Sequence, residues 1–205
     1  DLALLRKESS AVDMALFGRM LASSPEHNVE AACQVAHAIS VHRVAIEDDY
    51  FTAVDDLNAR EDIQGAGHIG ESGFASALFY SYLCINKDLL VQNLSNDKEL
   101  ANRTIRTLVE TAAKVSPKGK QNSFASRAFA TYALAETGTQ QPRSLSSSFL
   151  KSIEDPDLAK ASVAALEDQM SKFDQVYGDC ADQRYQFNVL TGEGSLADML
   201  EFVTE

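Results

Sequence analysis

Apolar residues recur at every second position from Val12 to Met20. Val12, Met14, Leu16 and Met20 fall on one face, with Asp13, Phe17 and Arg19 on the other. That alternation predicts a strand. From Cys33 to Val44 the pattern fits two periods. Val35, Ile39 and His42 could share a helix face, while Cys33, Val35, His37, Ile39 and Val41 alternate, and the β-branched content selects the strand. Ile46 to Gly73 is acidic, punctuated by glycine and carries embedded aromatics, which predicts a long insertion or extended hairpin. Phe74 to Ile85 is apolar on both faces and predicts a central strand covered on both sides.

Helical signals dominate the second half. Asn96 followed by Glu99 has the spacing of a capping box. Ala101, Ile105, Leu108, Ala112 and Val115 form a stripe, and Pro117 ends the helix. Lys118 to Asn122 is a polar basic loop, and Phe124 to Ala135 reads as another strand. Leu145, Phe149 and Ile153 suggest a short helix. Asp155-Pro156 opens a long one with the stripe Ala159, Val163, Leu166, Met170, Phe173 and Tyr177. Tyr185, Phe187 and Val189 alternate as a last strand, and Ser195 with Asp198 caps a final helix. Strands interrupted by few long helices predict an α+β fold, with helices on one face of a mostly antiparallel sheet.

The 205 residues suit a single domain, and no apolar run is long enough to span a bilayer. The sequence opens on Asp1 without the basic-then-apolar layout of a signal peptide. Cys33, Cys84 and Cys180 are widely spaced, odd in number and outside any CxxC. They read as reduced thiols of a cytoplasmic protein, and neither zinc nor any other cofactor is expected. The net charge of −12 argues against a generic nucleic-acid binder, but it hides a local contrast. Val41 to Glu71 carries two basic and eight acidic residues, and Lys151 to Glu205 carries four against twelve. Between them, Lys98 to Arg127 carries seven basic residues and two acidic ones. Such a stripe can bind phosphate within an acidic chain.

Gly65-Ala66-Gly67-His68-Ile69-Gly70 matches GxGxxG, but an acidic loop precedes it and a strand pattern follows. A dinucleotide site needs a strand before and a helix after, so a flexible turn is the expected use. Glu47-Asp48-Asp49, Asp55-Asp56 and Glu61-Asp62 offer carboxylates of the kind two-metal nucleases use, yet adjacent acids in one insertion ordinarily face water. The histidines include no HExxH pair, and no serine-nucleophile motif accompanies them. Phe51, in Tyr50-Phe51-Thr52-Ala53-Val54, belongs either to a small satellite core or to an exposed wedge that contacts bases.

Three stretches carry a resemblance. They are Val12 to Met20, then Ala36-His37-Ala38-Ile39 with Asp49 to Leu57, then Gly67-His68-Ile69-Gly70 ahead of Phe74 to Asn86. Together they resemble the CasC family, the crRNA-binding backbone subunits of type I-E CRISPR Cascade within the RAMP superfamily. The resemblance is strong to about Leu94, and beyond Ser95 it rests on element order. It implies a modified RRM-like (ferredoxin-like) antiparallel palm with a thumb insertion at about 44–73. It also implies that the chain corresponds to the later part of the family sequence, without the first strand, the Ser/Lys/Arg-rich RNA-contacting motif and the helical fingers.

In function, the resemblance implies a non-catalytic subunit lining up with copies of itself along one crRNA. Each thumb flips out a base, and the guide pairs with target DNA in short segments. Expected partners are crRNA, neighbouring copies, other Cascade subunits and target DNA on the guide, with no membrane. Arg19 and Met20 would face the guide, Met20 as an apolar contact beside the kink. Phe51, Thr52 and Val54 would be thumb contacts at the flipped base. Charge and loop position add Lys118, Lys120 and Gln121 as phosphate contacts. The rival from another class is a metal-dependent ribonuclease of the RAMP type using Asp48, Asp49 or Asp55. A third reading is a protein-interaction module without RNA contact.

Overall fold

The computed structural model describes residues 11–53 and 68–205. Helix α1 (Val12–Phe17) leads to β1 (Cys33–Val35), β2 (Ile39–Ser40), β3 (Ile46–Ala53), β4 (His68–Ala75), β5 (Phe79–Tyr80) and β6 (Leu83–Ile85). Helices α2 (Lys87–Asn93), α3 (Lys98–Lys114) and α4 (Gln121–Phe124) follow. Then come β7 (Tyr132–Thr137), a 3-10 turn (Ser146–Phe149), α5 (Leu158–Tyr177), β8 (Gln183–Asn188) and α6 (Leu196–Phe202). This is the expected mixture of helices with antiparallel strands. Among the described residues the strands pair as four two-stranded ladders, β1–β6, β2–β5, β3–β4 and β7–β8.

Three of those ladders are one bent ribbon. Cys33 to Val35 runs against Ile85 to Leu83, Ile39 and Ser40 against Tyr80 and Phe79, and Ile46 to Ala53 against Ala75 to His68. From Val35 to Ile39 the first arm advances four residues while the second retreats three, from Leu83 to Tyr80. From Ser40 to Ile46 it advances six against four, from Phe79 to Ala75. The surplus residues all lie on the first arm, so they act as bulges that interrupt the ladder and bend it. This corrects the expectation of a central strand over Phe74 to Ile85. That segment is divided among β4, β5 and β6, and Phe74 and Phe79 are exposed. A two-stranded ribbon has no second layer to cover both of its faces.

The Val12 to Met20 strand is likewise corrected to a helix. Val12, Leu16 and Met20 satisfy a period of four as well as two, and Met14, Ala15 and Leu16 are good helix formers. Ala15 N–H donates to the Ala11 carbonyl, Ala15 and Leu16 are buried, and Gly18 ends the helix at φ +78°. Helix α2 was not anticipated. Its cap is Asn86, whose side chain accepts from Leu89 N–H at 3.0 Å. The cap of α3 is Asp97, one residue after Asn96, and that of α5 is Asp157, two after Asp155. Asn96 sits at φ +65°, and Asp155 instead accepts from Asp157 N–H in a local turn. The strand predicted over Phe124 to Ala135 is confined to Tyr132–Thr137, because Phe124 closes α4. Ser195 caps α6 as expected, accepting from Asp198 N–H.

The core joins Ala15 and Leu16 of α1, Ala32 and Cys33, Leu90 and Leu94, and Ala101 and Ile105 of α3. Elsewhere, β7, β8 and α5 are tied by charge. Arg184 donates to Glu136 at 2.6 Å and to both oxygens of Asp174 at 2.6 and 2.8 Å, while Arg143 also holds Glu136. The Arg184 guanidinium holds the Asp174 carboxyl down at about 2. A carboxyl depressed in the fold contributes stability above its unfolded value near 3.9 and loses it as pH falls toward 2. Urea titrations at pH 5 and at pH 2 should therefore show most of this contribution, at most about 2 kcal/mol given the partly exposed pair, lost in the acid. In Asp174→Asn that part of the pH dependence should be gone.

Candidate nucleic-acid interface

The β3–β4 hairpin presents two unlike faces, because side chains alternate along a strand and directly paired residues share a side. Glu47, Asp49 and Phe51 face the same way as Phe74, Ser72 and Gly70. Ile46, Asp48, Tyr50 and Thr52 lie on the other side. Phe51 sits directly opposite Gly70, and its ring occupies the space where a Gly70 side chain would start, so a Cβ there would fall against Cζ and Cε2. The glycine thus serves close packing of an aromatic across the strand pair. Phe51 nevertheless keeps 45% exposure. It is neither deeply buried nor standing clear of its own chain.

The basic loop meets this same face. Lys114 is the last residue of α3, and the chain leaves it through Pro117 and Gly119. It returns where Ala130 N–H donates to the Ala113 carbonyl at 2.8 Å and Ser116 Oγ donates to the Ala128 carbonyl. Within this excursion Lys120 and Ala125 flank α4, both at φ +49° in the left-handed region. Lys120 Nζ donates to Ser72 Oγ at 3.0 Å and lies 5.8 Å from the centre of the Phe124 ring. Phe124 packs against Phe74 with ring centres 5.0 Å apart. Ser72 is two residues from Gly70 on one side of β4, so Lys120 reaches the strand about 7 Å from the position facing Phe51.

The predicted residues fall into three groups. Phe51, Lys118, Lys120 and Gln121 belong to this hairpin-and-loop region, with Lys118 exposed. Thr52 is exposed on the opposite face of the hairpin, and Val54 lies outside the described residues. Arg19 and Met20 stand on a different element. Arg19 pairs with Val29 in an isolated bridge, donates Nε and Nη2 to the His27 carbonyl at 2.9 and 2.6 Å, and donates Nη1 to Met14 Sδ. Its guanidinium closes the loop after α1, while Met20 is 83% exposed.

Of the carboxylates offered for catalysis, Asp48 and Asp49 point to opposite faces of β3, and Asp55 lies outside the described residues. No cluster of three or more metal-ligating side chains occurs among the described residues. Gly65 to Gly67 of the GxGxxG segment lie outside the described residues, and His68 to Gly70 open β4, where a dinucleotide site would require a helix. No described helix is long and apolar enough to cross a membrane. Sequence reasoning missed Gly70, Ser72, Phe74 and Phe124 as parts of this face. The period of two running from Gly70 through Ser72 to Phe74 was the available signal, and it was masked by reading Phe74 into a covered strand.

The fold is shared with chains of known assemblies. A chain of a "CRISPR RNA-guided surveillance complex, pre-nicking" superposes with a TM-score of 0.81 at 27% identity, over 96% of this chain and 55% of that one. A chain of a "CRISPR RNA-guided surveillance complex" gives 0.78 at 28% identity, over 94% of this chain and 77% of that one. The sequence therefore spans about half the length of the first of these. No curated protein matches it at a significant level. The CT1975-like protein family matches residues 2–200, and the chain belongs to that family.

Proposed function

We propose that the chain is a non-catalytic crRNA-binding backbone subunit of a type I-E Cascade complex, repeating along the guide and presenting it to target DNA. The observation that carries this reading is the likeness over nearly the whole chain to subunits of RNA-guided surveillance complexes. In this reading β3–β4 is the thumb, Phe51 meets a displaced base, and Lys118, Lys120 and Gln121 hold phosphates. Its partners are crRNA, neighbouring copies and other Cascade subunits.

The division of labour on the hairpin face supports it. Carboxylates at Glu47 and Asp49 repel phosphate and leave the aromatic to a base, where charge matters little. The lysines lie beside them and position backbone without reading sequence. Lys118→Ala with Lys120→Ala should weaken binding of all single-stranded RNA sequences alike. The slope of affinity against salt should flatten by roughly 0.7 for each phosphate that is no longer neutralised. An unchanged slope would place the phosphate-binding lysines elsewhere. Labelled RNA incubated with the protein and Mg²⁺ or Mn²⁺ should stay intact. Cleavage that vanishes in Asp48→Ala or Asp49→Ala would instead favour a ribonuclease.

A further inference from the structure

Beyond Phe51, the same hairpin face carries a second aromatic site at its root. Phe74 and Phe124 come from segments far apart in sequence, pack with centres 5.0 Å apart, and keep 43% and 42% exposure. Two aromatics brought together by folding and still nearly half open to solvent present ring surface outward. Lys120 lies over the Phe124 ring and is tied to Ser72, the residue between Gly70 and Phe74 on this side of β4. An ammonium has three donors, and Ser72 takes one of them.

We infer that Phe74 and Phe124, with Lys120 beside them, form a second nucleobase-stacking platform for single-stranded RNA at the hairpin root. The inference rests on the RNA-binding reading and adds to it a site that the resemblance did not supply. Phe74 lies four residues along β4 from the Phe51–Gly70 pair, or about 14 Å. A single strand following the face would stack one base at the root and another at Phe51, with intervening nucleotides between them. The charges on the face fit that arrangement. Glu47 lies directly across from Phe74 and Asp49 across from Ser72, so phosphate is disfavoured over the rings. Lys120, and Lys118 in the same loop, supply the positive side for the backbone. Stacking on the rings is open to any base, because every base has a π-face.

The test scans 2-aminopurine through each position of a single-stranded RNA bound to the chain, reading its quenching on stacking. Two quenched positions separated by unquenched ones are expected. Phe124→Leu and Phe74→Leu keep apolar bulk but remove the π-face. Each should release one of the two positions and weaken binding about five- to twentyfold. Phe124→Tyr should restore both the quenching and the affinity, which a purely structural role for the ring would not require. Phe51→Ala should release the other position. Leu variants that bind and quench like the parent, while the Lys118/Lys120 double variant binds more weakly, would overturn the platform and leave the RNA-binding reading standing. Absence of RNA binding by the parent chain would overturn both.

Discussion

Leu90→Ala is expected to destabilise the fold by about 3–5 kcal/mol, which is the upper part of the range for deleting a buried leucine. Leu90 has no exposed surface and lies in the cluster joining Ala15, Leu16, Leu94, Ala101 and Ile105. The cluster is drawn from α1, α2, α3 and the start of β1, whose backbones cannot collapse far into the space left, so the cavity cost adds to the transfer energy of the deleted atoms. For a chain of this size the melting temperature should fall by roughly 6–20 °C. Urea denaturation with an unchanged slope would assign the effect to the folded state. The hairpin face contributes nothing to this cluster, so the folded fraction of the variant should bind RNA as the parent does. A destabilisation below about 1 kcal/mol would show that α1, α2 and α3 are not held together in this way.

Phe51→Ala should behave in the opposite sense. A base stacked on the ring is worth about 1–3 kcal/mol, so RNA affinity in assembled complexes should fall by about five- to 150-fold. Stability should fall by only about 0.2–1 kcal/mol, the range for a cross-strand pair on a sheet face. The Gly70 position gives an independent check. Gly70→Val places a side chain where the Phe51 ring lies, so it should displace the ring and weaken RNA binding without removing an aromatic. The two substitutions should then be far from additive, because they disturb one packing arrangement. A large drop in melting temperature with RNA affinity intact would assign Phe51 to the core instead.

The helices with caps and long stripes were legible because their signals are local. Ser195 and Asp198 specify the start of α6 within four residues, and Ala101 with Ile105 repeats along one helix face. The hairpin was legible for a related reason. Its acidic arms with Tyr50 and Phe51 contrast with both flanks. What failed were the short segments whose periodicity fits two structures at once. Val12, Leu16 and Met20 fit a strand and a helix alike. Only the burial of the adjacent pair Ala15 and Leu16 against α2 and α3 decides for the helix.

The sequence by itself determined the mixture of helices and antiparallel strands, the position of the acidic hairpin, and the isolated basic stretch that spans α3 and the loop after it. Each is written in neighbouring residues, through period, capping chemistry and charge. Only the tertiary structure decided that the ribbon is bent by surplus residues on one arm, because register depends on both strands together. It also decided that Phe51 lies over Gly70, and that Lys120 and Phe124 close on Ser72 and Phe74. Those pairs join residues some twenty to fifty positions apart. No local pattern encodes them, since the loop after Pro117 reaches β4 only once Ala113 and Ala130 have closed its base.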